Sequence, residues 1–304
     1  GAMTAIPFVR EFDFEYGRCD QLSALVRRVI APNPGPFTFT GTGVFIVGCG
    51  EVAVLDPGPL DPGHEAALDA ALDGETVKAV LVTHHHMDHS PLAAKLAAKH
   101  GAKVYAMSPP DIAPEGVEVR MEAGDDAGFR PDVEVADGDV FKGPGWTLKA
   151  LHTPGHTSNH VCYALSEENT LFSGDHVMGW STSVVSPPDG SMGDYIAQLE
   201  RIRALDFDII RPTHGPAIED TGAFLDAYIE HRRARERQIM AQLEAGRTRI
   251  KDMVAVMYAD VDKRLHPAAA HSVLGHMIHL VEQGRVDCDG DPGLDSAYWA
   301  AGAG

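Results

Sequence analysis

The chain has 304 residues, 44% hydrophobic and 23% charged, the balance of a soluble globular protein with room for one large domain or two smaller ones. No window approaches 18 uninterrupted apolar residues, which argues against a membrane span. The formal net charge of −19 argues against a broad nucleic-acid footprint, which needs clustered Lys and Arg.

Taken in order, the opening "GAM" reads as a cloning scar at a native start, Met3. The acidic stretch after it lacks the basic and apolar regions of a signal peptide. Four scattered cysteines (Cys19, Cys49, Cys162, Cys288) form no CxxC pair and read as reduced thiols, so a cytoplasmic location is expected. Cys162 reads as a small buried strand residue. Short β-branched runs predict strands at 44–48, 52–56, 77–83, 102–107, 146–152, 160–166, 169–175 and 208–214. Helices fit 63–74, 90–101 and 193–205. In the second of these, Ser90 caps the start, Pro91 suits the first turn and Gly101 the exit. From 221 the pattern is helical, over 222–246, 249–261 and 267–284, and "RVDCDGDPG" (285–293) suits a short β wing. The predicted architecture is α/β (α+β), with a first domain over 1–220, a winged-helix-like module over 221–292 and a tail over 293–304.

The chemistry concentrates at strand ends. The strand 77–83 runs into "THHHMDHS", Thr83 to Ser90. In extended backbone, alternate side chains share a face, so His84 and His86 project together while His85 points elsewhere. Asp88 and His89, at the turn into the helix, project into the same hollow. "TPGHT" places His156 after the strand 146–152, "SGD" ends another strand at Asp175, and "RPTHGP" presents His214 likewise. Loops at strand ends are where an α/β scaffold exposes functional groups. Imidazole and carboxylate donors without thiolate suit zinc, and also iron or manganese. Of the other histidines, His160 reads as a support to the site and His176 as a support or a substrate-facing group. His64 reads as a helix-start residue, and His271, His276 and His279 as surface or core residues of the last helix.

In this order "DPG" (56–58), "THHHMDH", "TPGHT", "SGD" and "THG" resemble the motifs of the metallo-β-lactamase superfamily over most of residues 28–220. The resemblance implies a four-layer αβ/βα sandwich with a dinuclear metal site at one edge. By that resemblance His84, His86 and His156 would bind a first zinc, Asp88, His89 and His214 a second, and Asp175 would bridge both. Two such metals, roughly 3.5 Å apart, would share a hydroxide nucleophile, with Asp88 as the catalytic residue that orients it or relays a proton.

Asp175 stands where one β-lactamase branch has a Cys ligand, and His86 where diiron flavoproteins carry Glu, so neither branch fits. "NPGPFTFTGTGVFIVG" (33–48) and "AAAHSVLGHMIHLVEQGRV" more closely resemble the subfamily with a C-terminal winged helix, which includes a mitochondrial single-strand endoribonuclease. Two departures stand out: "GTG" at 41–43 where that family often has "GTN", and "PLAA" after "DHS" where it has paired glycines. The charge places hydrolysis of a small-molecule acyl substrate (lactone, β-lactam, ester or thioester) first. Metal-dependent cleavage of single-stranded RNA comes second, with "HRRARER" (231–237) as its basic patch if that run is not simply a solvated helix face. An iron-dependent persulfide dioxygenase-like oxidoreductase comes third. The helix "PAAAHSVLGHMIHLVEQG" has no Lys or Arg, which argues against duplex DNA. Packing against the first domain, or forming a homodimer surface, suits it better.

Overall fold

The computed structural model describes residues 5–111 and 124–302; Met3, Ala303 and Gly304 lie outside the described residues. A seven-stranded sheet runs in sequence order through β1 (Cys19–Gln21), β2 (Val26–Ile30), β3 (Gly43–Cys49), β4 (Glu51–Leu55), β5 (Thr76–Leu81), β6 (Val104–Ala106) and β7 (Val133–Glu134). It is antiparallel up to β4 and parallel from there. A second sheet is built from β8 (Val140–Gly143), β9 (Trp146–His152), β10 (Val161–Leu165), β11 (Thr170–Gly174) and β12 (Ile209–Pro212), in reverse order across the sheet. Helices α1 (Pro62–Ala71) and α2 (Ala93–His100) cover the first sheet, while α3 (Met192–Leu205) and α4 (Thr221–Glu244) cover the second.

Strand alternation builds these layers. Val44 and Ile46 of β3, with Val52 and Val54 of β4, face the helices beside Leu68 and Leu96. Phe45, Val47, Ala53 and Leu55 face the other way, against Trp146, Leu148, Tyr163 and Phe172 of the second sheet. Strands covered on both faces read as continuous apolar runs, which is why β3 and β4 are visible in the sequence. An irregularity at Lys78 shifts the β4–β5 register, so that Val77 and Val80 both face the helices. The result is the expected αβ/βα sandwich. Among the described residues no helix is long and apolar enough to cross a membrane.

The C-terminal module contains α5 (Ile250–Met257), α6 (His266–Glu282) and a two-stranded sheet of β13 (Val286–Cys288) and β14 (Tyr298–Ala300). One expected helix start is corrected, and two observations bear on the predicted domain bounds. The wing's return strand lies in the stretch assigned to the tail, because Tyr298 is fully buried and pairs opposite Cys288. The boundary at 220 falls at the start of a helix that serves two cores. Phe224, Leu225, Tyr228 and Ile229 of α4 join the α3 side, and Ile239 and Leu243 join the module. Helix α2 starts at Ala93 rather than after Ser90, whose hydroxyl instead donates to the Asp126 carboxylate and the His86 carbonyl. Gly101 closes α2 in the left-handed conformation, as expected.

One buried ionic contact fastens α6 to α4. Glu236 accepts from His276 Nδ1 at 2.8 Å and His279 Nδ1 at 2.9 Å. Burial raises the Glu236 carboxyl, but the two imidazoles outweigh it and hold its pKa at about 2. The partners differ: burial holds His276 below the ordinary range, whereas the bond to Glu236 raises the less buried His279. The ionic part of the contact therefore rests on His279. A depressed carboxyl stabilises the fold above its unfolded pKa of 4.5, and a raised imidazole does so below its unfolded 6.5. Glu236→Gln should cost about 2 kcal/mol in urea unfolding. The deficit should be largest between pH 4.5 and 6.5 and should shrink as pH falls towards 2.

Candidate metal centre

The ends of β5, β9, β11 and β12 meet at one edge of the sandwich, each delivering a loop. His84, His86, His156 and Asp175 form one group of buried donor atoms within 4.8 Å of one another; Asp88, His89, Asp175 and His214 form another. The seven sequence-predicted residues thus come together, with Asp175 common to both groups. Its Oδ2 lies 3.6 Å from His84 Nε2, 3.7 Å from His156 Nε2 and 3.1 Å from His89 Nε2, and its Oδ1 lies 3.5 Å from His214 Nε2. Asp88 Oδ2 is 2.7 Å from His214 Nε2 and 3.3 Å from His89 Nε2.

The outward nitrogens of the rings are held by fixed acceptors. His156 Nδ1 donates to the Val184 carbonyl at 2.6 Å, and His214 Nδ1 donates to the Gly41 carbonyl at 3.0 Å. His89 Nδ1 donates to Asp56 Oδ2 at 2.8 Å. Thr83 Oγ1 spends its proton on Asp56 Oδ2, so His84 Nδ1 must donate to that hydroxyl, 2.8 Å away. Each of these contacts fixes the ring's orientation and turns Nε2 inward, the arrangement in which histidines serve as metal ligands. His84 Nε2, Asp175 Oδ1 and Asp88 Oδ1 are buried without a hydrogen bond. Buried polar groups of that kind are costly, and a divalent cation fits their demand.

The electrostatics agree. Burial should raise Asp88 and Asp175, yet the charges of His89 and His214 outweigh it and hold both carboxyls well below the ordinary range. Burial should likewise lower His89 and His214, but Asp175 and Asp88 keep both rings raised. Ionised carboxylates therefore face inward among rings that supply positive charge in their own protons. A thiol does not take part. Cys162, the nearest cysteine in sequence, is buried in β10, pushed up to about 12 by burial and in contact with Thr153 Oγ1.

The remaining histidines sort themselves by contact. His85 lies outside both groups, with Nδ1 3.2 Å from Asn159 Oδ1 and Nε2 3.6 Å from the Asp125 carboxylate. His160 Nε2 accepts from the Asp175 amide at 3.2 Å, so it steadies that aspartate's backbone. Gly174 has φ +56°, and a Cβ there would lie 2.5 Å from His160 Nε2, so this strand end must be glycine. His176 packs on Tyr195, its pKa pushed down to about 3 by burial. His64 does start a helix, in the first turn of α1, and its Nε2 also buttresses the Pro57 carbonyl at 2.8 Å.

Sequence reasoning missed two aspartates. Asp56 has no role in the sequence reading beyond ending the strand 52–56 and opening the "DPG" motif, yet it accepts from Thr83 N, Thr83 Oγ1, His89 Nδ1 and Thr213 Oγ1 at 2.7–3.0 Å. A carboxylate ending a buried strand was the available signal. Asp125 lies 3.4 Å from His86 Nε2, on a segment tied to the ligand loop by Met87 N to Gly124 O and Asp126 N to His85 O.

A sandwich of this topology carrying this cluster defines a class, and the comparisons agree. Residues 38–214 match the model of the metallo-beta-lactamase superfamily, and residues 250–299 that of the beta-lactamase associated winged helix domain. The chain belongs to the metallo-β-lactamase superfamily, as a hydrolase-fold member with that C-terminal domain. Its relatives include a "Beta-lactamase-like protein 2 homolog" of Caenorhabditis elegans, 33% identical over 93% of this chain and 92% of that protein. An "Atrochrysone carboxyl ACP thioesterase" of Cryptosporiopsis sp. is 29% identical, over 88% of this chain and 83% of that protein. A beta-lactamase domain protein from Burkholderia ambifaria shares the fold, with a TM-score of 0.74 at 19% identity and 94% coverage of each chain.

Two substitutions probe the cluster through metal content alone. His85→Ala should keep the metal stoichiometry of the wild type, whereas His86→Ala should lower it. Asp56→Asn should weaken metal affinity about 10- to 100-fold in chelator competition while leaving the ligand side chains in place.

Proposed function

We propose that the protein is a dinuclear zinc-dependent hydrolase acting at an acyl carbon, with a thioester as the preferred linkage. The observation that carries the reading is the pair of buried donor groups sharing Asp175. His84, His86 and His156 would hold one cation, Asp88, His89 and His214 the other, and Asp175 both. Iron or manganese is compatible with the same donors. When bound, such cations supply Lewis acidity and a water acidified towards neutrality. The chain's own residues do the rest. Asp56 and the Val184 and Gly41 carbonyls hold His89, His156 and His214 in place, so little reorganisation is needed during reaction. Asp88 carries an oxygen, Oδ1, without a hydrogen bond, which suits it to orient the attacking water or take its proton.

Acyl chemistry is favoured over RNA cleavage by how the basic run of α4 is used. Arg232 is buried and donates to the Ser183 carbonyl. Arg233 pairs with Glu200 and Arg237 with Glu230, while Arg235 lies over the Tyr258 ring and donates to Gln238. Arg233 and Arg237 lie on an exposed face but are each paired with a glutamate, so the run is not a free phosphate tract. A neutral thioester needs no such tract. Relatives named as acyl-carrier thioesterases support that linkage over a lactone or β-lactam.

Metal-analysed protein assayed on thioester, lactone, β-lactam and labelled single-stranded RNA tests this. Thioester hydrolysis should disappear with chelator, return with zinc, and fall about 10²- to 10⁴-fold in Asp88→Ala. RNA cleavage that weakens steeply with salt and is lost in Asp88→Ala would overturn the acyl reading. One iron per chain without zinc, with oxygen uptake on a persulfide, would overturn hydrolysis itself.

A further inference from the structure

A short ladder holds the 124–126 segment against the ligand loop. Met87 N donates to the Gly124 carbonyl at 2.8 Å and Asp126 N to the His85 carbonyl at 2.7 Å, so His86 and Asp125 stand opposite each other in antiparallel register. These two bonds flank the pair rather than join it. In that arrangement opposed residues approach most closely and their side chains share a face. Asp125 is thereby projected onto the face from which His86 joins the donor cluster, and its Oδ1 lies 3.4 Å from His86 Nε2.

This carboxylate is open to solvent as well as close to the donors. Its side chain is 53% exposed against 2% for His86, and Met87, between two donors in sequence, is 47% exposed. A group that approaches the first donor set from this side therefore meets Asp125. No lysine or arginine pairs with it among the described residues.

Its other neighbour is an acceptor too. Asn159 Nδ2 donates to the Met107 carbonyl at 3.2 Å, which leaves Asn159 Oδ1, 3.2 Å from His85 Nδ1, to accept that ring's proton. His85 Nε2 then presents a lone pair. It lies 3.6 Å from Asp125 Oδ1, beyond hydrogen-bond reach. Two acceptors thus stand side by side at an open rim, and no donor of the described residues lies between them. The chemistry above uses neither.

We propose that Asp125 is a substrate-binding residue that accepts a hydrogen bond from an N–H group of the thioester, with His85 Nε2 as its second acceptor. The ligand class is a thioester bearing an amide N–H, on either its acyl or its thiol portion. An anionic group such as a phosphate is repelled at the same place. The assignment rests on the acyl-hydrolase reading.

Two pairs of thioesters separate the sources of the N–H. One is the hexanoyl thioester of N-acetylcysteamine against its N-methylated counterpart, and the other the ethyl thioester of N-acetyl-β-alanine against its own. Wild type should prefer the N–H member of at least one pair about three- to tenfold in kcat/KM, through KM, and that pair identifies the side that carries the donor. Asp125→Ala should erase the preference and His85→Ala should reduce it, both with wild-type metal content and Tm. No preference in either pair, or one that survives Asp125→Ala, would overturn the proposal. Loss of metal in Asp125→Ala would overturn it too, because the carboxylate would then be a ligand. Calorimetric titration of the metal-loaded protein with the products, N-acetylcysteamine and N-acetyl-β-alanine, and with their N-methyl forms needs no turnover. A wild type that hydrolyses no thioester refutes the acyl reading, while the titration still reads the donor site. Equal affinity for the N–H and N-methyl forms of both products would overturn that site as well.

Discussion

The structure of the candidate metal centre depends on one buried carboxylate that belongs to neither donor group. Asp56 follows β4 at φ +48°, in the left-handed region that aspartate tolerates better than most residues. From there it binds the end of β5 through Thr83, the helix-entry turn through His89 and the end of β12 through Thr213. Those partners lie 27, 33 and 157 residues away in sequence and on both sheets. The two sheets are thereby pinned together at the edge where the donors converge. Because Thr83 passes the interaction on to His84, and His89 receives it directly, one carboxylate orients a ring in each donor group. A fault at Asp56 would propagate to both groups at once, whereas a fault at the Val184 carbonyl would reach His156 alone.

That long reach explains which parts of the site were legible in the sequence. The seven donors are local events: each is a His or Asp at the end of an apolar run, and period-two alternation separates His85 from its neighbours. Their supports are not local. Two are backbone carbonyls, of Gly41 and Val184, which leave no side-chain signature at all. Ser90 illustrates the opposite error. Ser-Pro before an apolar-periodic stretch is a sound capping signal. Here Asp126, 36 residues on, recruits the hydroxyl, and the helix begins a turn later. The sandwich itself was visible because its central strands are buried on both faces. The edge strands β1, β7 and β8 are short and partly exposed, and they carry no such run. The wing's second strand is only three residues long, and the burial of Tyr298 rather than any periodicity defines it.

Charge is distributed to the same end. A chain of net charge −19 would gain from free cations around a phosphodiester site, but its densest basic run is spent on internal partners. Arg232 in particular donates to Ser183 and lies over the Tyr195 ring, beside the loop that holds His156. Arg232 therefore braces the loop between Asp175 and α3. The helix that carries Arg232 also carries Glu236, through which α6 is attached. Helix α4 thus joins the winged module to the loop that holds His156.

The donor cluster is generic to the superfamily, so discrimination between substrates has to come from the loops around it. Two of those loops do double duty. The stretch before β3 supplies the Gly41 carbonyl to His214 and, two residues earlier, Phe39. The stretch after β11 supplies the Val184 carbonyl to His156 and, four residues earlier, Trp180. A ring stack and the support of two donor histidines are therefore carried on the same short pieces of backbone, and the stacked rings lock the two pieces to each other. A rim built this way is held rigid with respect to the cluster. It also constrains how the specificity could change. Insertions in either loop would displace a histidine together with the rim, and would alter metal affinity before they altered selectivity.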